Sequence, residues 1–114
     1  MTSCIFCRIA SGEIPANVVH ADEHVVAFRD LNPQAPTHVL VVPRRHVSTL
    51  NEVGEADAEL IGRMYQAAKA VAAGDGIAES GYRTVFNCNA DAGQTVFHLH
   101  LHVLGGRVMG WPPG

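Results

Sequence analysis

The stretch Phe97-His98-Leu99-His100-Leu101-His102-Val103-Leu104-Gly105-Gly106, FHLHLHVLGG, sets three of the chain's seven histidines at alternate positions with leucine filling both gaps. Successive side chains of a strand point to opposite faces, so the spacing predicts a strand over residues 97–104 that buries its leucines and gathers its imidazoles. A chance polar face is the plain alternative. Histidine has no strong strand preference, however, and neighbouring imidazoles repel once protonated, so the arrangement destabilises unless it serves a ligand or a task.

Working outward, strand-like and helix-like segments follow one another with no linker, repeat or low-complexity tract, as in a single domain over residues 1–114. Residues 4–11 read as a short helix capped by Ser3 and stopped at Gly12, and 18–21 and 25–29 as β-branched strands joined by Asp22-Glu23-His24. Residues 38–43, HVLVVP, are apolar and short enough for a buried strand. Over residues 55–73, Ala58, Ile61, Met64, Tyr65, Ala68, Val71 and Ala72 recur at helical intervals up to Gly74 and Gly76. Residues 82–89 alternate again and supply the fourth strand; the histidine segment is the fifth. Five strands with one long and one short helix, and no strand-helix-strand alternation, predict an α+β fold around an antiparallel meander.

Composition narrows the function. At 47% hydrophobic and 17% charged residues the chain is an ordinary globular protein. A net charge of −3 gives no basic face for nucleic acid, although a single nucleotide is not excluded. No apolar run reaches the roughly 20 residues of a membrane span. Three cysteines and the absence of a secretory pattern at the start lead us to expect reduced thiols and a cytoplasmic protein.

Two chemistries suit the histidine face. Three neutral imidazoles bind a catalytic metal, or they surround a phosphoryl group with one ring as nucleophile and the others as donors. Upstream, Gly93-Gln94-Thr95-Val96 offers backbone N–H groups close to an anion and the Thr95 hydroxyl, and Asn87 in the fourth strand adds an amide. Such donors fit phosphate and leave the metal reading without a use for them.

The segment GQTVFHLHLHVLGGR at residues 93–107 resembles the His-x-His-x-His signature of the histidine-triad (HIT) family. DLNPQAPTHVLVVPRRH at 30–46 and the final WPPG resemble its Hint branch of purine nucleoside phosphoramidases. The resemblance implies a homodimer whose two five-stranded sheets form one ten-stranded sheet. It also implies hydrolysis of a P–N bond in substrates such as adenosine 5′-phosphoramidate, with no cofactor required in the reaction. On the matching positions, His100 is the nucleophile that becomes nucleotidylated, His102 contacts the phosphate beside it, and His98 and His38 complete the site. Asn87, Gly93, Gln94, Thr95 and Val96 match the phosphate side of the substrate site, and Phe6, Phe28, Asp30 and Leu31 the nucleoside pocket, Asp30 accepting from the ribose. A histidine near its ordinary pKa of about 6.5 protonates the leaving amine. Thr95 stands where animal members carry serine, and Arg29 where they carry histidine. A nucleotide-binding interaction protein and a dinucleoside polyphosphate hydrolase are the alternatives within the same family.

Cys4 and Cys7, three apart, share one face of the first helix. They are either small buried residues or half of a zinc site. Some bacterial members of the family bind zinc with such a pair plus two histidines, which by that resemblance are His46 and His98.

Overall fold

The computed structural model describes residues 3–114. Its order is α1 (Ile5–Ala10), β1 (Val18–Ala21), β2 (Val25–Arg29), β3 (Thr37–Pro43), α2 (Ala58–Gly74), β4 (Tyr82–Phe86) and β5 (Leu101–Gly105), with short 3-10 turns between β3 and α2 and between β4 and β5. All five strands are antiparallel, in the order β1-β2-β3-β5-β4. The first three form the expected meander. The last two do not continue it: β4 takes the outer edge after α2, and β5 returns to fill the place between β3 and β4.

Two apolar layers follow from the period of two. On β2 and β3, Val25, Ala27, Val39 and Val41 face α2, where they meet Met64, Ala67, Ala68 and Val71; Val26, Phe28, Leu40 and Val42 face α1 and meet Phe6 and Ala10. β3 is buried along its whole length because both its faces are covered. Each large apolar side chain hidden this way contributes roughly 1.5–3 kcal/mol. α1 is only six residues long and covers part of its face, so the remainder of that face is open.

Three boundaries differ from expectation. Cys4, not Ser3, caps α1, its Sγ accepting from the Cys7 N–H at 3.5 Å. β4 ends at Phe86. β5 begins only at Leu101, because in the register that pairs Val41 with Leu101, Leu99 would face Pro43, which has no N–H to give. The Leu99 N–H donates instead to the Val47 carbonyl at 2.6 Å. Side chains still alternate across this unpaired stretch: Leu99, Leu101 and Val103 join the α2 layer. At the other end of β5, Gly106 turns the chain with φ +88°, and a Cβ there would lie 2.8 Å from Pro36.

Candidate active site

The uncovered part of the α1 face forms a cavity of about 350 Å³. Phe6 and Ile9 of α1, Phe28 of β2 and Leu40 of β3 supply apolar wall, and His100, His102, Asp30 and Thr95, with Asn17 and Arg29, supply polar side chains. A site of this size with few convergent polar groups is the usual form of a small-molecule pocket. Leu31 and Val96 also line it, Leu31 fully exposed at the rim.

The backbone fixes the tautomers of His100 and His38, and His38 in turn fixes that of His102. A carbonyl accepts only from N–H, so His100 Nδ1, 2.7 Å from the His98 carbonyl, carries the proton and leaves the lone pair on Nε2. His38 accepts the Gln34 N–H on Nδ1 at 3.0 Å, which puts its own proton on Nε2. That nitrogen lies 2.9 Å from His102 Nδ1 and 3.4 Å from Asp30 Oδ2. His102 therefore accepts on Nδ1 and presents Nε2–H. Its ring centroid is 5.0 Å from that of His100.

Burial lowers the His102 pKa to about 4, with the neighbouring His100 and His38 acting in the same direction and Asp30 against them. His38 is likewise lowered by burial, opposed by Asp30. The expected histidine near 6.5 beside the nucleophile is thus corrected: His102 is a neutral donor at pH 7.

His98 departs from the shared-ligand geometry read from the alternation. It is fully buried, it is absent from the cavity wall, and its ring lies with the cysteines. His98 Nε2 donates to the Pro43 carbonyl at 2.8 Å, and Nδ1 lies 3.3 Å from Cys4 Sγ, 3.4 Å from Cys7 Sγ and 3.2 Å from His46 Nδ1. Cys7 Sγ is 3.4 Å from His46 Nδ1. A tetrahedral zinc site has edges of about 3.3 Å between two nitrogens and about 3.5 Å between nitrogen and sulfur, so these four atoms fit the ion. One lone pair on His98 Nδ1 cannot satisfy three such neighbours by hydrogen bonding alone. Asp30, His38 and His102 also cluster, but a metal on His38 Nε2 would require a proton on Nδ1, which already faces the Gln34 N–H. That cluster holds protons.

The remaining expected residues act at one remove. Gln94 is buried and fully bonded: Oε1 accepts from the Asn89 N–H at 2.8 Å, and Nε2 donates to the Ser48 and Val96 carbonyls at 2.9 and 3.1 Å. It clamps the loop that carries Thr95 and Val96. Gly93, at φ +84°, closes the 3-10 turn before it. Asn87 follows the last residue of β4, where the register sets it across from His100, and it lies outside the cavity wall. Ile9, Ile14 and Asn17 line the cavity without having been singled out, and Arg29, noted only as a departure from the animal members, lines it as well. Only Ile9 had a signal, its helical spacing from Phe6.

A family model described as HIT domain matches residues 11–109. The chain is 46% identical over 106 residues to the purine nucleoside phosphoramidase of Escherichia coli K12, covering 93% of this chain and 89% of that one. Among solved structures it is similar to a HIT family hydrolase from Legionella pneumophila, with a TM-score of 0.96 at 54% identity over 98% of this chain and 100% of the other. It is also similar to a zinc-bound histidine triad family protein from Mycobacterium smegmatis, at a TM-score of 0.79 and 33% identity over 92% and 76% of the two chains.

Proposed function

The chain belongs to the HIT domain family, and from that premise we propose that it hydrolyses the P–N bond of purine nucleoside phosphoramidates through a covalent intermediate on His100. The observation that carries this reading is the bond from His100 Nδ1–H to the His98 carbonyl, which leaves Nε2 as a nucleophile in the wall of an apolar cavity. The name of the Escherichia coli relative supports the same substrate class.

The nucleoside lies against the apolar wall that Phe6 and Phe28 form by packing edge-on with ring centroids 5.4 Å apart, with Asp30 placed to accept from ribose hydroxyls. Asp30 Oδ1 is steadied by the Asn32 N–H at 2.8 Å. The His100 Nε2 lone pair attacks phosphorus, the P–N bond breaks with its electrons going to nitrogen, and the amine leaves with an added proton. His102 Nε2–H and the Thr95 hydroxyl donate to the phosphoryl oxygens as charge develops. A bound anionic phosphoryl group raises the His102 pKa, since an opposite charge favours imidazolium, and so the substrate itself recruits the proton that the amine takes away. Water then cleaves the nucleotidyl–histidine bond and restores His100.

No metal takes part in these bond changes. Zinc at Cys4, Cys7, His46 and His98 is a structural part of the proposal, supported by the tetrahedral fit and by the zinc-bound Mycobacterium smegmatis relative. A homodimer is a further part of it.

His100→Asn tests the mechanism. Turnover of a purine nucleoside phosphoramidate should fall by at least roughly 10³-fold, and labelled nucleotide should be trapped on the native chain but not on the variant. Near-normal turnover in the variant defeats the assignment, and a native chain that binds AMP without forming an adduct is a binding protein instead.

A further inference from the structure

The segment that carries His100 has no ladder bonds of its own, since β5 starts one residue later. It is held by the Leu99 N–H on Val47, by the Gln94 clamp, and by the His98 ring. That ring is anchored at both ends, on the Pro43 carbonyl through Nε2 and among the two thiols and His46 through Nδ1. The backbone carbonyl of the same residue receives the His100 Nδ1 proton. Phe6, which sits between Cys4 and Cys7 in α1, lays its ring edge-on against both His98 and His100, at centroid distances of 6.0 and 5.1 Å. Two physical links therefore run from the thiols to the nucleophile: one through the backbone of His98, one through Phe6.

We infer that Cys4, Cys7 and His46 are positioning residues for the nucleophile: by clamping the His98 ring they hold the carbonyl that keeps His100 in its Nε2-reactive tautomer. The inference rests on the reading of His100 as nucleophile and of zinc as the group that joins the four ligands. With the clamp gone, the His98 carbonyl is no longer aimed, and His100 divides between two tautomers, one of which has its lone pair turned away from the cavity. The chemical step slows. Nucleoside binding weakens less than the chemical step, because only Phe6 and Ile9 of the apolar wall move with α1, while Phe28 and Leu40 stand on β2 and β3, which the sheet holds independently.

The test compares the protein as purified, the same protein stripped of metal by a chelator and then resupplied with Zn²⁺, Cys7→Ser, and Cys7→Asp, which keeps an anionic zinc ligand. Zinc content, kcat, KM, AMP affinity and the ¹⁵N shifts of the His100 ring are measured on each. The stripped protein and Cys7→Ser should lose roughly 10- to 100-fold in kcat with KM and AMP affinity changed by less than that, and His100 should pass from a single-tautomer ¹⁵N pattern to an averaged one. Zn²⁺ restores the stripped protein, and Cys7→Asp retains both the metal and the single-tautomer pattern. The inference fails if metal-free protein keeps the single tautomer, or if kcat and AMP affinity fall together while the His100 pattern stays fixed. Should Cys7→Ser not fold, the stripped and resupplied protein decides. Should the native chain turn over no phosphoramidate, the proposed function falls, and the dependence of the His100 pattern on zinc still decides this inference.

Discussion

His102 sits between the rings of His38 and His100, at centroid distances of 5.2 and 5.0 Å, and burial there holds its pKa at about 4 against an ordinary 6.5. The unfolded chain consequently binds a proton between those two values that the folded chain refuses. Stability from this group is whole above pH 6.5 and declines as the pH falls toward 4, by about 2 kcal/mol between pH 7 and pH 5. Urea unfolding at those two pH values should show that loss in the native chain and a shallower one in His102→Asn; equal losses would contradict the environment assigned to this ring. The alternating histidines were visible from the start, but their division of labour was not. Which nitrogen of each ring carries a proton depends on the carbonyls of Pro43 and His98 and the amide of Gln34; Pro43 is distant in sequence from the ring it fixes, and the local partners Gln34 and His98 act only through turns and side-chain directions that the alternation does not encode.

At the scale of the elements, α2 is tied to the sheet at its C-terminal end. Asp75, just past the helix, takes both Arg29 guanidinium nitrogens at 2.7 and 2.9 Å and the Thr37 hydroxyl at 2.8 Å, joining α2 to β2 and β3. Those partners hold the Asp75 carboxyl below its ordinary range, the Arg29 hydrogen bond most of all. Arg29 is over a third exposed, so the ion pair is discounted for solvent, and Asp75→Ala should cost about 1–2 kcal/mol. Thermal melting should drop by roughly 5–10 °C, and an unmoved midpoint would remove this tie from the account. The limits of β1 and β2 coincide with the β-branched runs because short turns bound them on both sides. The late start of β5 was illegible, since it follows from Pro43 standing opposite Leu99 in a register that only the assembled sheet sets.

For the molecule as a whole, the sheet leaves two edges, β1 and β4. β1 is short and broken by a register shift between Val18 and His20, which makes it a poor template for pairing. β4 is regular, and beside it Tyr65 of α2, 40% exposed, packs edge-on against Phe86 at 6.1 Å. The proposed ten-stranded homodimer is therefore expected to join through β4. Sedimentation at micromolar concentration should give twice the 12.2 kDa chain mass, and a particle of the single mass would exclude the dimer.

The sequence by itself determined the five strands, the two helices, the division of leucines from imidazoles, and the grouping of His100, His102 and Thr95, because these follow from periods of two and 3.6 and from the small set of residues able to perform phosphoryl chemistry, while Phe6, Phe28, Asp30 and Leu31 follow only from the resemblance to the HIT family. Only the tertiary structure decided that β5 lies inside β4, that His98 turns to the cysteines and leaves the cavity to His100 and His102, and that His102 is neutral at pH 7. Strand order, ligand convergence and desolvation are properties of groups brought together from distant parts of the chain, and no local period encodes them.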